Sequence, residues 1–192
     1  MSAWAVPHLS VEDYLALDRV AEVKSEYRDG LLYPITNATV SHARLSVRLG
    51  RRLDERLEEP CSTLSSVRVR IRPSKFVYPD LAVVCGKPAV TDEHADTITN
   101  PKVIIEILSP SNRDYDYGSK FTLYRELPSF QEYVLVDQEI QRIEVYRRVD
   151  ALWVLARYDA PDAILPIESL NLTIPLAEIY SGIVDSTNPI PS

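Results

Sequence analysis

Val103–Leu127, VIIEILSPSNRDYDYGSKFTLYREL, is the stretch whose reading decides how this chain folds. Val103-Ile104-Ile105 is a β-branched run of the kind buried on both faces of a sheet, and Glu106 interrupts it with one carboxylate. Such a carboxylate is costly unless something pairs with it. Ser109-Pro110-Ser111-Asn112 turns the chain, after which Lys120, Leu123, Tyr124 and Leu127 fall at i, i+3, i+4 and i+7 on one helical stripe. That stripe aims a lysine at the sheet carrying Glu106. Upstream, Val77–Cys85 (VYPDLAVVC) is a second apolar strand with a single acid, Asp80. Two acids and a lysine converging on a core mark a site, because a core needs none of them.

The elements around this stretch follow from local patterns. Ser10 with Asp13 is a capping-type helix start, and Val11, Tyr14, Leu15 and Leu17 give that helix an apolar side to about Val23. Lys24–Ile35 carries Asp29-Gly30 between alternating segments, a hairpin signal, with Glu26 in its first strand. Val40–Glu58 is helical, with Leu45, Leu49, Leu53 and Leu57 on one stripe and Arg44, Arg48, Arg52 and Arg56 on the next. His42 heads the apolar face. Spacing leaves it two readings, a helix-terminal histidine satisfied by a backbone group or a catalytic part. The arginine stripe also has two, a solvated face paired with Asp54, Glu55, Glu58 and Glu59 or a phosphate-contacting face.

Ser66–Arg72 alternates strictly, which points Val67, Val69 and Ile71 one way and makes Arg68, Arg70 and Arg72 a wet, basic face. The expectation is that Val77–Cys85 pairs with it as one antiparallel strand across Pro73-Ser74-Lys75. The polar connection from Gly86 to Asn100 reads as a surface loop or mobile lid, with His94 at its tip. Strands are expected at Glu132–Asp137, Arg142–Arg148, Ala151–Tyr158 and Ala163–Ile167, and a short helix at Leu176–Tyr180 before a Pro- and Ser-containing tail. The order implies an α/β fold with a mixed sheet.

With 192 residues, 45% hydrophobic and 26% charged, the chain reads as a single globular domain. No apolar run approaches membrane-spanning length and no leader precedes the first helix, so the expected location is the cytoplasm. Cys61 and Cys85 lack partners at metal-ligand spacing and read as reduced core thiols. A net charge of −7 argues against tight non-specific nucleic-acid binding while leaving room for local basic surfaces.

Pro79-Asp80 followed by Glu106 inside a second strand resembles the PD-(D/E)XK nuclease superfamily, the fold of restriction endonucleases. A more specific ensemble is Lys24-Ser25-Glu26-Tyr27-Arg28-Asp29-Gly30, Ser41-His42, Tyr78-Pro79-Asp80-Leu81, Glu106-Ile107-Leu108-Ser109-Pro110-Ser111, Gly118-Ser119-Lys120-Phe121, Tyr124-Arg125 and Glu132-Tyr133. That ensemble is similar to the Uma two family of endonucleases. The resemblance implies a central mixed sheet flanked by helices over a core of about 11–148, a C-terminal β extension over 149–180 and a tail over 181–192. It also implies metal-dependent hydrolysis of phosphodiester bonds in DNA, and it allows a homodimer.

A hard cation supplies both an acidified water and charge at the phosphoryl oxygens, so the implied cofactor is Mg²⁺, for which Mn²⁺ substitutes. Its implied ligands are Asp80, Glu106 and the carbonyl of Ile107. Glu26 and His42 join Asp80, Glu106 and Lys120 as catalytic candidates, and Arg44, Arg48, Arg52, Arg68 and Arg70 are the candidates for contact with nucleic acid. Lys120 is expected to orient water and stabilise charge, with its ammonium close to both Asp80 and Glu106. Two positions depart from the family pattern. Leu108 stands where the superfamily carries its lysine, which here moves to Lys120, and Leu31 stands where relatives carry an acid. Two other classes therefore stay open: a catalytically silent interaction domain on the same scaffold, and a hydrolase acting on RNA or small phosphate esters.

Overall fold

The buried runs at 103–108 and 132–137 become β8 (Val103–Leu108) and β9 (Glu132–Asp137), every residue of which is buried. They pair in parallel at the centre of a six-stranded sheet. A parallel pair needs a crossover. Part of it is a helical segment made of α3 (Arg113–Tyr115), a π-helical turn (Asp116–Lys120) and α4 (Phe121–Tyr124). The computed structural model describes residues 8–35 and 38–184, so the tail after Val184 lies outside the described residues.

The chain enters through α1 (Val11–Val20), whose N-cap Ser10 accepts a hydrogen bond from the Asp13 amide. The hairpin β1 (Ser25–Arg28) and β2 (Leu31–Pro34) turns at Asp29-Gly30, both at positive φ. Gly30 suits the turn because its φ is +92°, and an added Cβ would also meet the His8 ring. Then come α2 (Val40–Asp54), β3 (Cys61–Ser65), β4 (Arg68–Arg72), β5 (Lys75–Val77), β6 (Leu81–Cys85) and β7 (Thr97–Ile98). After the crossover, β10 (Ile143–Val149), β11 (Leu152–Tyr158), β12 (Ile164–Ile167), β13 (Leu172–Pro175) and α5 (Leu176–Tyr180) complete the fold.

Three sheets result: β11-β10-β9-β8-β6-β3, β2-β1-β5-β4-β7, and the pair β12-β13. The six-stranded sheet is mixed, and the fold is α/β as the element order implies. Leu45, Leu49 and Leu53 of α2 join Ile105, Ile107 and the β12, β13 and α5 residues in one core. Ile104 and Leu108 face the other way and pack with Phe121, Leu123, Tyr124 and Leu127 in a second. Alternation along β8 thus turns Glu106 towards the crossover helix.

Four expectations change. Val77–Cys85 is not one strand beside Ser66–Arg72. It divides into β5, which does pair with β4, and β6, which lies in the other sheet between β3 and β8. Pro79 has no amide to donate to a ladder, so Tyr78-Pro79-Asp80 becomes a strap between sheets. Cys61 and Cys85 are not separate thiols. Cross-strand register sets them opposite each other on β3 and β6, with Cα atoms 3.9 Å apart, and they are joined in a disulfide.

The segment from Gly86 to Asn100 is not a free lid, because β7 pairs with β4 and Asp92 and Asp96 both bind Arg19. Lastly, Leu17 is half exposed rather than part of the apolar face of α1. Among the described residues no helix is long and apolar enough to cross a membrane.

Candidate active site

Register explains the spacing of the two acids. Leu81 pairs with Ile105 and Ala82 with Ile104, so one step outward sets Asp80 opposite Glu106 at the end of the β6–β8 ladder. The Asp80 carboxylate accepts a 2.7 Å hydrogen bond from the Ile107 amide, which fixes it against β8. Its other oxygen lies 3.2 Å from His42 Nε2. Thr39 caps α2 and so sets His42 in the first turn of the helix, facing the strap.

Glu106 is 1% exposed and pairs with Lys120 Nζ at 2.8 Å, while the Tyr124 hydroxyl donates to the same carboxylate oxygen at 3.0 Å. Lys120 also donates to the Tyr78 carbonyl at 2.9 Å and lies 3.5 Å from Glu26 and 3.7 Å from Asp116. The expected closeness to both acids is half met. Lys120 meets Glu106, and no contact with Asp80 within 4 Å exists among the described residues. Asp80 is instead committed to the Ile107 amide and His42, on the more open side of the pair.

Glu26 reaches in from β1. It accepts from the Tyr115 hydroxyl at 2.6 Å, from Arg28 at 2.8 Å and weakly from the Tyr78 amide at 3.4 Å. The strap residue Tyr78 therefore touches Lys120 with its carbonyl and Glu26 with its amide. Its hydroxyl is anchored in turn by Asp18 and Arg68. Glu26, Arg28, His42, Tyr78, Asp80, Glu106 and Lys120 border a cavity of about 510 Å³ that also carries Ser109, Ser111 and Asn112 on its rim. Leu31 is not among its lining residues, so the missing acid at that position removes no group from this pocket.

The cavity holds more negative than positive charge. Burial works against the charge on Lys120, yet Glu106, Glu26, Asp116 and Asp80 outweigh it and hold the ammonium's pKa well above the ordinary lysine value. Burial likewise pushes Glu106 up, and although Lys120 opposes this, Asp116 and Asp80 add to it. Asp116 is raised from 3.8 to about 6, again by burial first, with Lys120 opposing and Asp80 and Glu26 adding. Lys120 and Arg28 do not neutralise the four acids Glu26, Asp80, Glu106 and Asp116.

A hard divalent cation fits that donor set. The acids offer only oxygen, and most of the charge excess is buried. No group of three or more His, Cys, Asp or Glu is gathered as a metal cage among the described residues. His94, alone on an exposed loop with its amide bonded to Asp92, belongs to no such group.

The arginine candidates are placed otherwise. Arg68 is 2% exposed, pairs with Asp18 at 3.1 Å and is no part of a wet face, because α1 and the 86–100 segment cover that side of β4. Arg70 is half-buried. Arg44 donates to the Gly182 carbonyl, Arg48 to those of Ile179 and Ser181, and Arg52 pairs with Glu55 and Glu178. The stripe thus holds the end of α5.

Sequence reasoning missed Asp116, Tyr115, Tyr78, Tyr124 and Arg28 as parts of this cluster. Two carry a findable signal. Asp116 stands four residues before Lys120, the spacing of an ion pair on one helix face, and Arg28 stands two after Glu26 on the same strand face. Arg28 is further held between the rings of Tyr33 and Tyr115, at 4.1 and 4.2 Å.

With this geometry in place, the comparisons give the chain its relatives. The Uma2 family model, described as "Putative restriction endonuclease", matches residues 11–177. Two uncharacterized proteins of Synechocystis sp. are similar: sll1609, 36% identical over 77% of this chain and 85% of its own length, and slr1290, 31% identical over 92% and 94%. Among solved structures, a crystal structure described as "a putative nuclease belonging to DUF820" from Anabaena variabilis shares the fold. Its TM-score is 0.74 at 20% identity, over 90% of this chain and 98% of that one. On the family match across most of its length, the chain belongs to the Uma2 family.

Proposed function

We propose that this protein is a divalent-cation-dependent endonuclease that hydrolyses phosphodiester bonds of DNA. The observation that carries the reading is the constellation of half-buried Asp80 with buried Glu106 and Lys120 at the end of the β6–β8 ladder, with Glu26 and His42 bordering the same cavity. A buried set of charges of this kind is poor stabilising material compared with apolar side chains, which favours a chemical role for it.

Asp80, Glu106 and the Ile107 carbonyl would hold Mg²⁺, and Mn²⁺ suits the same oxygen donors. The chemistry such an ion supplies when bound is acidification of water and stabilisation of charge on the phosphoryl oxygens. Lys120, kept charged by its carboxylate neighbours, serves to orient the attacking water and to offset negative charge as it develops. Its raised pKa argues against its taking a proton itself. His42 holds Asp80 in place. Glu26 steadies Lys120 and is a candidate for water-mediated contact with the cation. Arg28 and the rim hydroxyls of Ser109 and Ser111 are suited to the backbone phosphates of a substrate entering the cavity.

The test is cleavage of supercoiled DNA with and without Mg²⁺, with single-stranded RNA and a small aryl phosphate ester in parallel arms. Magnesium-dependent nicking of DNA supports the proposal. Hydrolysis confined to RNA or the ester replaces the substrate, and no hydrolysis in any arm makes the chain a scaffold without activity.

A further inference from the structure

Asp116 is 1% exposed, borders the cavity, and has neither carboxylate oxygen hydrogen-bonded to any described residue. An acid buried this way is expensive to keep unless it has a partner for which it was placed. Its backbone is held, since the Tyr133 hydroxyl donates to the Asp116 carbonyl at 3.0 Å. It also lies in a π-helical turn that ends at Lys120, a feature that tends to occur at functional positions because it widens one turn of a helix at local cost.

Lys120 has three N–H donors. Glu106 at 2.8 Å and the Tyr78 carbonyl at 2.9 Å take two. The remaining acceptors, Glu26 at 3.5 Å and Asp116 at 3.7 Å, are beyond ordinary N–H···O reach. Both side chains face the same cavity, so a water seated there beside their contact, at about 2.8 Å from each, is within hydrogen-bond reach of both.

We infer that Asp116 and Lys120 together hold the nucleophilic water, with Asp116 as its proton acceptor. This rests on the hydrolytic reading above and gives the water's proton to the cavity carboxylate whose two oxygens have no hydrogen-bond partner among the described residues. Lys120 donates its third N–H to the water oxygen, and the water donates to Asp116. In the step, the water O–H bond breaks and its proton passes to Asp116, while the oxygen's electron pair forms the new bond to phosphorus. The bond from phosphorus to the leaving sugar oxygen breaks, and that oxygen takes a proton from solvent water. Nothing is oxidised or reduced.

The experiment compares the parent chain with Asp116→Asn in three readouts: nicking of supercoiled DNA with Mg²⁺, Mn²⁺ binding by calorimetry, and thermal melting. The expected result is cleavage lower by about 10²-fold or more, Mn²⁺ affinity within twofold, and a melting temperature equal or higher. Undiminished cleavage overturns the assignment, as does a loss of Mn²⁺ affinity that tracks the loss of cleavage, which would make Asp116 a ligand. A lowered melting temperature that accounts for the lost activity overturns it as well. Asp116→Ala gives an independent check, because added formate should restore cleavage several-fold, and no restoration counts against the role. Failure of both variants to fold makes Asp116 structural and overturns the inference. A parent chain that binds Mn²⁺ and cleaves no DNA overturns the nuclease reading, and this inference with it. Parental cleavage matched by Asp116→Asn overturns only the role of Asp116.

Discussion

Lys120→Met removes the one ammonium shared by three carboxylates while keeping the length of the side chain. At an effective dielectric of about 20, its attraction to Glu106 at 2.8 Å is about 6 kcal/mol, and to Glu26 and Asp116 at 3.5 and 3.7 Å about 4 to 5 kcal/mol each. Most of this is offset by the cost of taking the charge out of water, and removing one partner of such a buried set leaves a net loss of about 3–5 kcal/mol. For a chain of this size that corresponds to a melting temperature lower by roughly 6–20 °C. Calorimetric melting checks it. Glu106→Gln combined with Lys120→Met should recover much of the loss, since the pair is then removed together. Mg²⁺ should raise the melting temperature of Lys120→Met more than that of the parent, because the carboxylates then lack their resident cation. Cleavage should fall by about 10²-fold or more. A Lys120→Met chain as stable as the parent, and insensitive to Mg²⁺, would refute the charge balance derived for this cavity.

Three further outcomes follow from the same geometry. Glu106→Gln keeps the shape and the acceptor for Tyr124, so it should fold, with cleavage lower by at least about 10²-fold; circular dichroism and nicking assays check both. Arg48→Ala should cost about 1–2 kcal/mol, through lost bonds to the end of α5, and leave the salt dependence of DNA binding unchanged. A flattened salt slope with unchanged stability would return that stripe to phosphate contact. Asp116 has a folded pKa of about 6 against an ordinary 3.8, so the native chain binds a proton that the unfolded chain releases between those values. Its contribution is therefore fully present below about pH 4 and is lost as pH rises through about 6, on the order of 3 kcal/mol. Melting of Asp116→Asn should change less between pH 4 and pH 7 than melting of the parent, and equal slopes would contradict this.

Much of the fold is legible locally. β8 and β9 announce themselves as largely apolar runs, the hairpin as Asp29-Gly30, and α2 as a leucine stripe, because each reflects burial on one face or two. The convergence of Glu106 and Lys120 is legible too, since strand alternation and helix period each fix a direction. What stays hidden depends on partners distant in sequence. The disulfide needs the β3–β6 register, and the burial of Arg68 needs Asp18 of α1, 50 residues away. Their alternation and spacing look the same whether the facing surface is water or protein. The break at Pro79 was available in principle, as proline without an amide ends a ladder. Asp116 was overlooked because a helical aspartate normally faces solvent, and only the π-helical turn and the crossover packing turn this one inward. The count of carboxylates around Lys120 is likewise invisible in its stripe, which shows an apolar face and not the three acids that face the ammonium.

The central claim, that the Asp80–Glu106 pair makes this chain a metal-dependent DNA endonuclease, is tested most directly by nicking of supercoiled DNA with Asp80→Asn beside the parent. Asparagine keeps an oxygen to accept from the Ile107 amide at the position where Asp80 sits 2.7 Å away, so the strap should hold and melting should stay close to parental. The account predicts that the parent nicks DNA with Mg²⁺, stops on addition of a chelator, and loses that activity in Asp80→Asn. Equal nicking by a folded Asp80→Asn chain, or nicking by the parent that survives the chelator, would contradict it.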